Sequence, residues 1–332
     1  MRTKHYPLIL CLLLLVVHVS VAAQASDETV NSVDRIRVDS DLVDLKVSVL
    51  NRTKEADPTR LQRHDFVVLE DGAPQEIAFF ESADAPFDLV LLLDLSGSAE
   101  RKLSLIRRSA KRFVDAARPV DRIAVVTFTN VPRVVSGLTT DRKELKRLID
   151  RIETPEGGTN LWDALKFVLD SLLTNGDGAR RQAVVLMSDG VDNALPDVYG
   201  EGSRITFAEL LDLLRRTDAL VFPVYLDTES EEVKRRRTPR SAYEIARRQL
   251  DSLAEASGTV KYSADKLKDL DQVYQQVIQD LSTVYSIGYR PTNASKDGKW
   301  RSVRVRIPQR QDLLPRARSG YFAGPQAQSI NQ

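Results

Sequence analysis

Residues 88–100 read DLVLLLDLSGSAE, an apolar run that stops on Asp94, Leu95, Ser96, Gly97 and Ser98. The run is too short for a buried helix and does not alternate, which is how a strand covered on both faces reads. Its ending is unusual for such a strand: a carboxylate followed by two hydroxyls, each two residues apart. Alternate residues leaving a strand project the same way, so Asp94, Ser96 and Ser98 can face one point as the chain turns into the next element.

The same grammar repeats outward from this stretch. FDLVLLLD, RIAVVTF, RQAVVLMSD, LVFPVYLD and the weaker GTVKYSA are short apolar runs between Phe87 and Ala264. Between them lie helical periods, such as Leu103, Ile106, Ala110, Phe113 and Ala117. Strand–helix alternation predicts an α/β fold, a doubly wound and mostly parallel sheet with helices on both faces. PRVVSGL, close behind RIAVVTF, predicts an antiparallel edge strand. The charged stretch Thr228–Arg240, TESEEVKRRRTPR, predicts a solvated loop between a strand and a helix.

The flanks lack a helical period and read as β-rich. DLKVSVLN alternates, EDGAP is a turn, and VYSIGYRP and WRSVRVRIP about TNASKDGK predict a hairpin. Neither flank is large enough to bury much of a core alone. The two are therefore expected to pack together as one β-sandwich-like domain with the α/β unit inserted; separate docking of each on that unit is the alternative. The expected organisation is a signal peptide over 1–25, a β-rich segment over 30–85, the α/β domain over 86–281, a second β-rich segment over 282–324 and a tail over 325–332.

The signal peptide is read from Arg2 and Lys4, the apolar run Leu8–Val17 and the small residues of VSVAAQAS, with cleavage after Ala23 or Ala25. The run is short for a membrane span, and Leu10 is too bulky to precede a lipidated Cys11. The chain is thus expected to be secreted or periplasmic, with no stable transmembrane segment after cleavage. Cleavage removes Arg2 and Lys4 and takes the formal charge from +1 to −1. Neither balance suggests nucleic acid or an anionic membrane as a partner. It also removes Cys11, the single cysteine, and leaves His64 as the last of three histidines. Disulfides, cysteine–zinc sites and cysteine nucleophiles are then excluded, and a Ser-His-Asp triad would need His64, far upstream of these serines. An exported chain without disulfides fits a bacterial envelope better than an animal secretory pathway.

Ligands of an open parallel sheet gather at the carboxyl ends of its strands. There the sequence places Asp94, Ser96 and Ser98; Ser188-Asp189-Gly190 at the end of RQAVVLMSD; and Thr159 after Gly157 and Gly158, whose missing side chains let the backbone come close. Asp94, Ser96, Ser98, Thr159 and Asp189 form an all-oxygen set suited to a hard divalent cation, Mg²⁺, with Mn²⁺ or Ca²⁺ accepted by the same oxygens. The serines taken alone also read as helix caps, and Asp189 as the brace of its turn. Asp192, in the same loop, is expected to be exposed. Trp162 and Leu165 are expected in the core.

DLSGS, Thr159 after Gly-Gly, and Asp189 in SDG together resemble the metal-ion-dependent adhesion site of the von Willebrand factor type A domain, and the resemblance runs from about Pro86 to Leu281. It implies direct coordination by the hydroxyls of Ser96, Ser98 and Thr159, with Asp94 and Asp189 holding the ion through waters and a partner's acidic group completing its shell. More narrowly, DLVDLKVSVLN…LQRHDFVVLEDGAPQEIAFFE before that region and YSIGYRP…GYFAGP after it are similar to bacterial secreted proteins of the "VWFA-related" type. The function implied is a non-enzymatic, metal-dependent binding module that captures an Asp or Glu of a protein partner, with 192–204 and Ala99–Lys102 as its rim. An assembly module of an envelope complex, with a stabilising metal or none, is the alternative. A metal-assisted hydrolase would need a base beside the ion, and no histidine accompanies the set.

Overall fold

The computed structural model describes residues 42–53, 56–96, 103–153, 157–173, 180–234, 238–264 and 269–324. The expected signal peptide and tail, Ser98, Ala99–Lys102 and the arginines at 235–237 lie outside the described residues.

The amino-terminal flank holds β1 (Val43–Asn51), β2 (Val67–Glu70), β3 (Ala73–Gln75) and β4 (Ile77–Glu81). The α/β unit opens with β5 (Phe87–Asp94), α1 (Leu103–Ala116), β6 (Arg122–Phe128), β7 (Pro132–Thr139), α2 (Arg142–Asp150) and α3 (Leu161–Phe167). It continues with β8 (Arg181–Ser188), α4 (Phe207–Arg215), β9 (Leu220–Leu226), α5 (Glu229–Lys234), α6 (Arg240–Ser257), β10 (Tyr262–Ala264) and α7 (Leu270–Leu281). The carboxyl-terminal flank adds β11 (Val284–Tyr289), β12 (Trp300–Arg306), β13 (Leu313–Arg316) and β14 (Gly320–Phe322).

The central sheet runs β10-β9-β8-β5-β6-β7. β5 is parallel to both neighbours, and β7 is the antiparallel edge strand the sequence predicts. Strand geometry sorts side chains by parity. Leu89, Leu91 and Leu93 of β5 meet Phe113 of α1, Leu145 of α2 and Tyr274 of α7 on one face. Val90 and Leu92 meet Leu165 of α3, Leu210 of α4 and Leu250 of α6 on the other. Both parities are apolar because both faces are covered. The chain leaves β5 for β6 on one side and later returns to β8 on the other, so the strand order reverses there. Such a switch point opens a crevice at the carboxyl ends of the two strands.

The flanks build two sheets, β13-β1-β11-β4 and β14-β12-β2-β3, each using strands from both ends of the chain. They share an apolar cluster that includes Leu45, Val68, Tyr285, Ile287 and Val305. The EDGAP turn joins β2 to β3, with Asp71 and Gly72 both left-handed at φ 46° and 84°, the geometry that lets a two-residue turn follow the strand twist.

Two expectations are corrected. The predicted hairpin between β11 and β12 does not form. β11 is buried at every position and is flanked by β1 and β4, so it has no edge left. β12 alternates exposed and buried and pairs with β2 and β14 in the other sheet. The stretch from Thr228 is not simply a solvated loop: it begins with α5, whose Glu232 is buried. Its charges are used locally, since Glu229 pairs with Arg240 at 3.2 Å and Arg247 at 2.6 Å.

Candidate functional site

Asp94 is the last residue of β5 and is 3% exposed. One carboxylate oxygen accepts the Ser96 amide at 2.9 Å, which turns the chain as it leaves the strand. The other accepts the Ser188 hydroxyl at 2.6 Å from the end of neighbouring β8. Ser188 Oγ accepts the Gly190 amide at 2.8 Å, so one serine fixes both the acid and its own turn. Asp189 follows the same pattern one strand further on. It accepts the Val191 amide at 3.1 Å and the hydroxyl of Thr228, just beyond β9, at 2.6 Å. The Thr228 hydroxyl lies 3.1 Å from the phenol of buried Tyr243 on α6.

Thr159 arrives by a different device. A Cβ on Gly157 would stand 2.5 Å from Asn130 Oδ1, and one on Gly158 would stand 2.1 Å from Asn193 Nδ2. The two glycines therefore let the backbone pass between two asparagines. Asn130 accepts the Gly158 amide at 2.8 Å and Asn193 accepts the Thr159 amide at 3.2 Å. Thr159 is held only 6% exposed by these bonds.

Ser96, Thr159 and Asp189 come together on the wall of one cleft of about 550 Å³, which Asp197, Tyr199 and Glu232 also line. Asp94 joins them through Ser188 and through its charge. Burial first, and then the Asp189 carboxylate, push the Asp94 carboxyl up to about 7. No lysine or arginine is among the described residues lining the cleft. Nor do three or more carboxylate, imidazole or thiol groups gather anywhere among the described residues in a metal-binding cluster. A cation here would therefore draw on hydroxyls as well as acids. Hard oxygen donors and two mutually repelling, poorly solvated carboxylates fit a divalent ion of the Mg²⁺ class.

Asp192 is the correction among the candidate residues. It is 0% exposed and accepts the Trp162, Ala194 and Ser203 amides and the Ser203 hydroxyl. Trp162 and Leu165 are packed in the core, as their helical spacing predicts. His64 sits in a short 3-10 turn of the flank, away from the cleft lining. The sequence reading missed Asn130, Asn193, Thr228, Tyr243 and Glu232. Asn130 carried a usable signal, since it closes TFTN just past a parallel strand, where Asp94 also stands.

The family model for the von Willebrand factor type A domain matches residues 88–276. A curated relative, the "UPF0353 protein" of Nocardia farcinica (strain IFM 10152), is 25% identical over 229 residues, covering 64% of this chain and 66% of that protein. The match thus spans just under two thirds of the relative's own length. Among solved structures, BatB from Bacteroides thetaiotaomicron aligns at a TM-score of 0.46 and 16% identity, over 59% of this chain and 98% of that one. Proximal thread matrix protein 1 from the mussel byssus, with a zinc-occupied MIDAS motif, aligns at 0.48 and 18% identity, over 64% and 49%.

Proposed function

The chain belongs to the von Willebrand factor type A family, whose model matches more than half of it, and from that premise we propose that it is an exported, metal-dependent protein-binding module. Asp94, Ser96, Ser98, Thr159 and Asp189 hold a divalent cation, Mg²⁺ or else Mn²⁺ or Ca²⁺. The ion supplies an open coordination position for an Asp or Glu of a protein partner. The observation that carries this reading is the pair of buried acids closing parallel strands, each oriented by a neutral hydroxyl, beside a described cleft lining without a basic residue.

The chain's own residues divide the work. Ser188 and Thr228 aim the two carboxylates, and Asn130 and Asn193 set Thr159. The loop from Asp192 to Arg204 is pinned at its base by Asp192 and presents Tyr199, which is 95% exposed, at the rim. An exposed aromatic on an anchored loop contributes contact area at low entropic cost, as partner-binding surfaces require. Binding is favoured over hydrolysis because no histidine lines the described cleft. Among the described residues no helix is long and apolar enough to cross a membrane, so export rests on the reading of residues 1–25.

The test is thermal unfolding of the full chain in EDTA, Mg²⁺, Mn²⁺ and Ca²⁺, beside Asp94→Ala. A ligand that binds only the folded state raises the midpoint with its concentration. The expected result is a rise with at least one ion that the variant loses. No shift with any ion would overturn the reading.

A further inference from the structure

The acid just past β8 is steadied by one helix in two ways. Gly190 stands in the left-handed region at φ 78°, and a Cβ added there would lie 2.8 Å from Leu250 Cδ1 and 3.3 Å from Ala246 Cβ. The turn that carries Asp189 is therefore seated directly on α6. Tyr243 of the same helix, 1% exposed, places its phenol 3.1 Å from the Thr228 hydroxyl. That hydroxyl donates to Asp189 Oδ2 at 2.6 Å. Tyr243, Ala246 and Leu250 are three and four residues apart, so one stripe of α6 makes both contacts.

Hydrogen-bond capacity gives this line of groups a direction. A threonine hydroxyl carries one proton, and that of Thr228 goes to Asp189. The phenol then supplies the proton of the 3.1 Å contact, which leaves its oxygen to accept from the Thr238 side chain that also bonds it. Burial first, and then the Asp189 charge, raise the phenol above its ordinary value, so it keeps that proton. A hydroxyl that accepts one hydrogen bond is a stronger donor in the next. Thr228 is itself 3% exposed, which leaves the phenol rather than bulk solvent to orient it.

Resting on the cation reading above, we propose that Tyr243 is a positioning residue of the ion site, holding the Asp189 carboxylate toward the cleft through Thr228. An acid already held in place does not have to be ordered when the ion arrives. The phenol thus raises ion affinity without adding a charge.

Mn²⁺ is the probe. Its affinity for the full chain is measured by calorimetry, with urea unfolding in EDTA to establish that each variant folds. Tyr243→Phe keeps the ring in the core and removes the phenol proton. Affinity should fall about tenfold, the loss usual when an outer partner of a metal ligand is removed. Thr228→Val should lose at least as much, and Thr228→Ser, which keeps the hydroxyl, should bind like the wild type. The double variants decide between positioning and packing. Tyr243→Phe should again lose affinity beside Thr228→Ser and add nothing beside Thr228→Val, where the line is already cut. The same loss in both backgrounds would make Tyr243 a packing residue and overturn the proposal. If Tyr243→Phe does not fold, fluorotyrosine at position 243 replaces it as a stronger donor of nearly the same shape: a change in Mn²⁺ affinity supports the proposal and none overturns it. Unchanged affinity in folded Tyr243→Phe overturns this inference and leaves the cation site standing. No Mn²⁺ binding by the wild type overturns both.

Discussion

At the amino-terminal end of the central sheet, buried Asp88 takes Arg122 at 2.7 Å and Arg180 at 2.8 Å, and buried Asp121 takes both arms of Arg118. At the carboxyl-terminal end Asp94, on the same strand as Asp88, takes a serine hydroxyl and an amide. Burial is nearly equal, 2% and 3% exposed, but the partners differ in kind. An arginine orients an acid and cancels its charge, whereas a hydroxyl orients it and leaves the charge in place. One end of the sheet is therefore closed electrostatically within the chain, and the other is the end proposed above to take a cation. Position in the fold matches this division: the neutralised end faces the flank linker, and the charged end faces the cleft.

Breaking the closed end should have the largest effect. Arg181 opens β8 at 2% exposure. It donates to Ser286 Oγ at 3.0 Å on β11 and to the carbonyls of Ser82 and Ala83, and lies 5.7 Å from the Phe87 ring. It thus fastens the β4–β5 linker and a flank strand to the α/β unit, at a desolvation cost that pulls its guanidinium down to about 10. Arg181→Met removes the guanidinium and leaves the Ser82 carbonyl with the Ala85 amide at 3.5 Å and the Ala83 carbonyl with Arg118 at 3.4 Å, both long bonds. It should cost about 4 kcal/mol in urea unfolding, equally in EDTA and in Mg²⁺. A loss confined to the metal-bound form would erase the contrast between the two ends.

The open end should respond in the opposite direction. The Asp94 carboxyl lies at about 7 in the folded chain against an ordinary 3.8. Between those values the folded state binds a proton that the unfolded state has released, so stability falls as pH rises through the window and stays low above it. In EDTA this group should leave the protein roughly 3 kcal/mol less stable at pH 8 than near pH 4. Asp94→Asn should remove that decline and be the more stable form at pH 8 without metal. Mg²⁺ should restore the wild type and not the variant. A wild type and variant with parallel pH profiles would show that Asp94 carries no stranded charge.

How much of this was legible depended on whether a residue's partners were local. β5 could be read because both parities of its side chains are apolar, a property of the strand alone. That Asp94, Ser96 and Asp189 approach one another could be read because ends of parallel strands converge, and that Thr159 approaches them because two glycines precede it. The hairpin was misread because TNASKDGK specifies a reversal of the chain but not which sheet each strand joins, and β1 and β4 had already taken both edges of β11. Ser188 and Thr228 act across the sheet, on acids set by strand order rather than by sequence distance. Glu232 looked solvated in a run of charges. It is buried because Thr228 and the Glu229 pairs start a helix against the cleft.

Asp192 offers the smallest and most discriminating perturbation. One oxygen accepts the Ala194 amide at 2.8 Å and the Ser203 amide at 3.0 Å, and the other accepts the Trp162 amide at 3.1 Å and the Ser203 hydroxyl at 2.6 Å. It therefore ties both ends of the Tyr199 loop to the first turn of α3, satisfying its charge with neutral donors as Asp94 does, but away from the cleft lining. Asp192→Asn keeps one acceptor and turns the other into a donor facing an N–H, a change expected to cost about 2 kcal/mol. Asn193, the next residue, loses its fixed base, and its 3.2 Å bond to Thr159 should loosen. The midpoint gain on adding Mg²⁺ should shrink yet persist, whereas Asp94→Asn should abolish it. If Asp192→Asn abolished the gain as well, the acid would belong to the ion's own surroundings. The line drawn between acids that shape the loop and acids that meet the cation would then have to move.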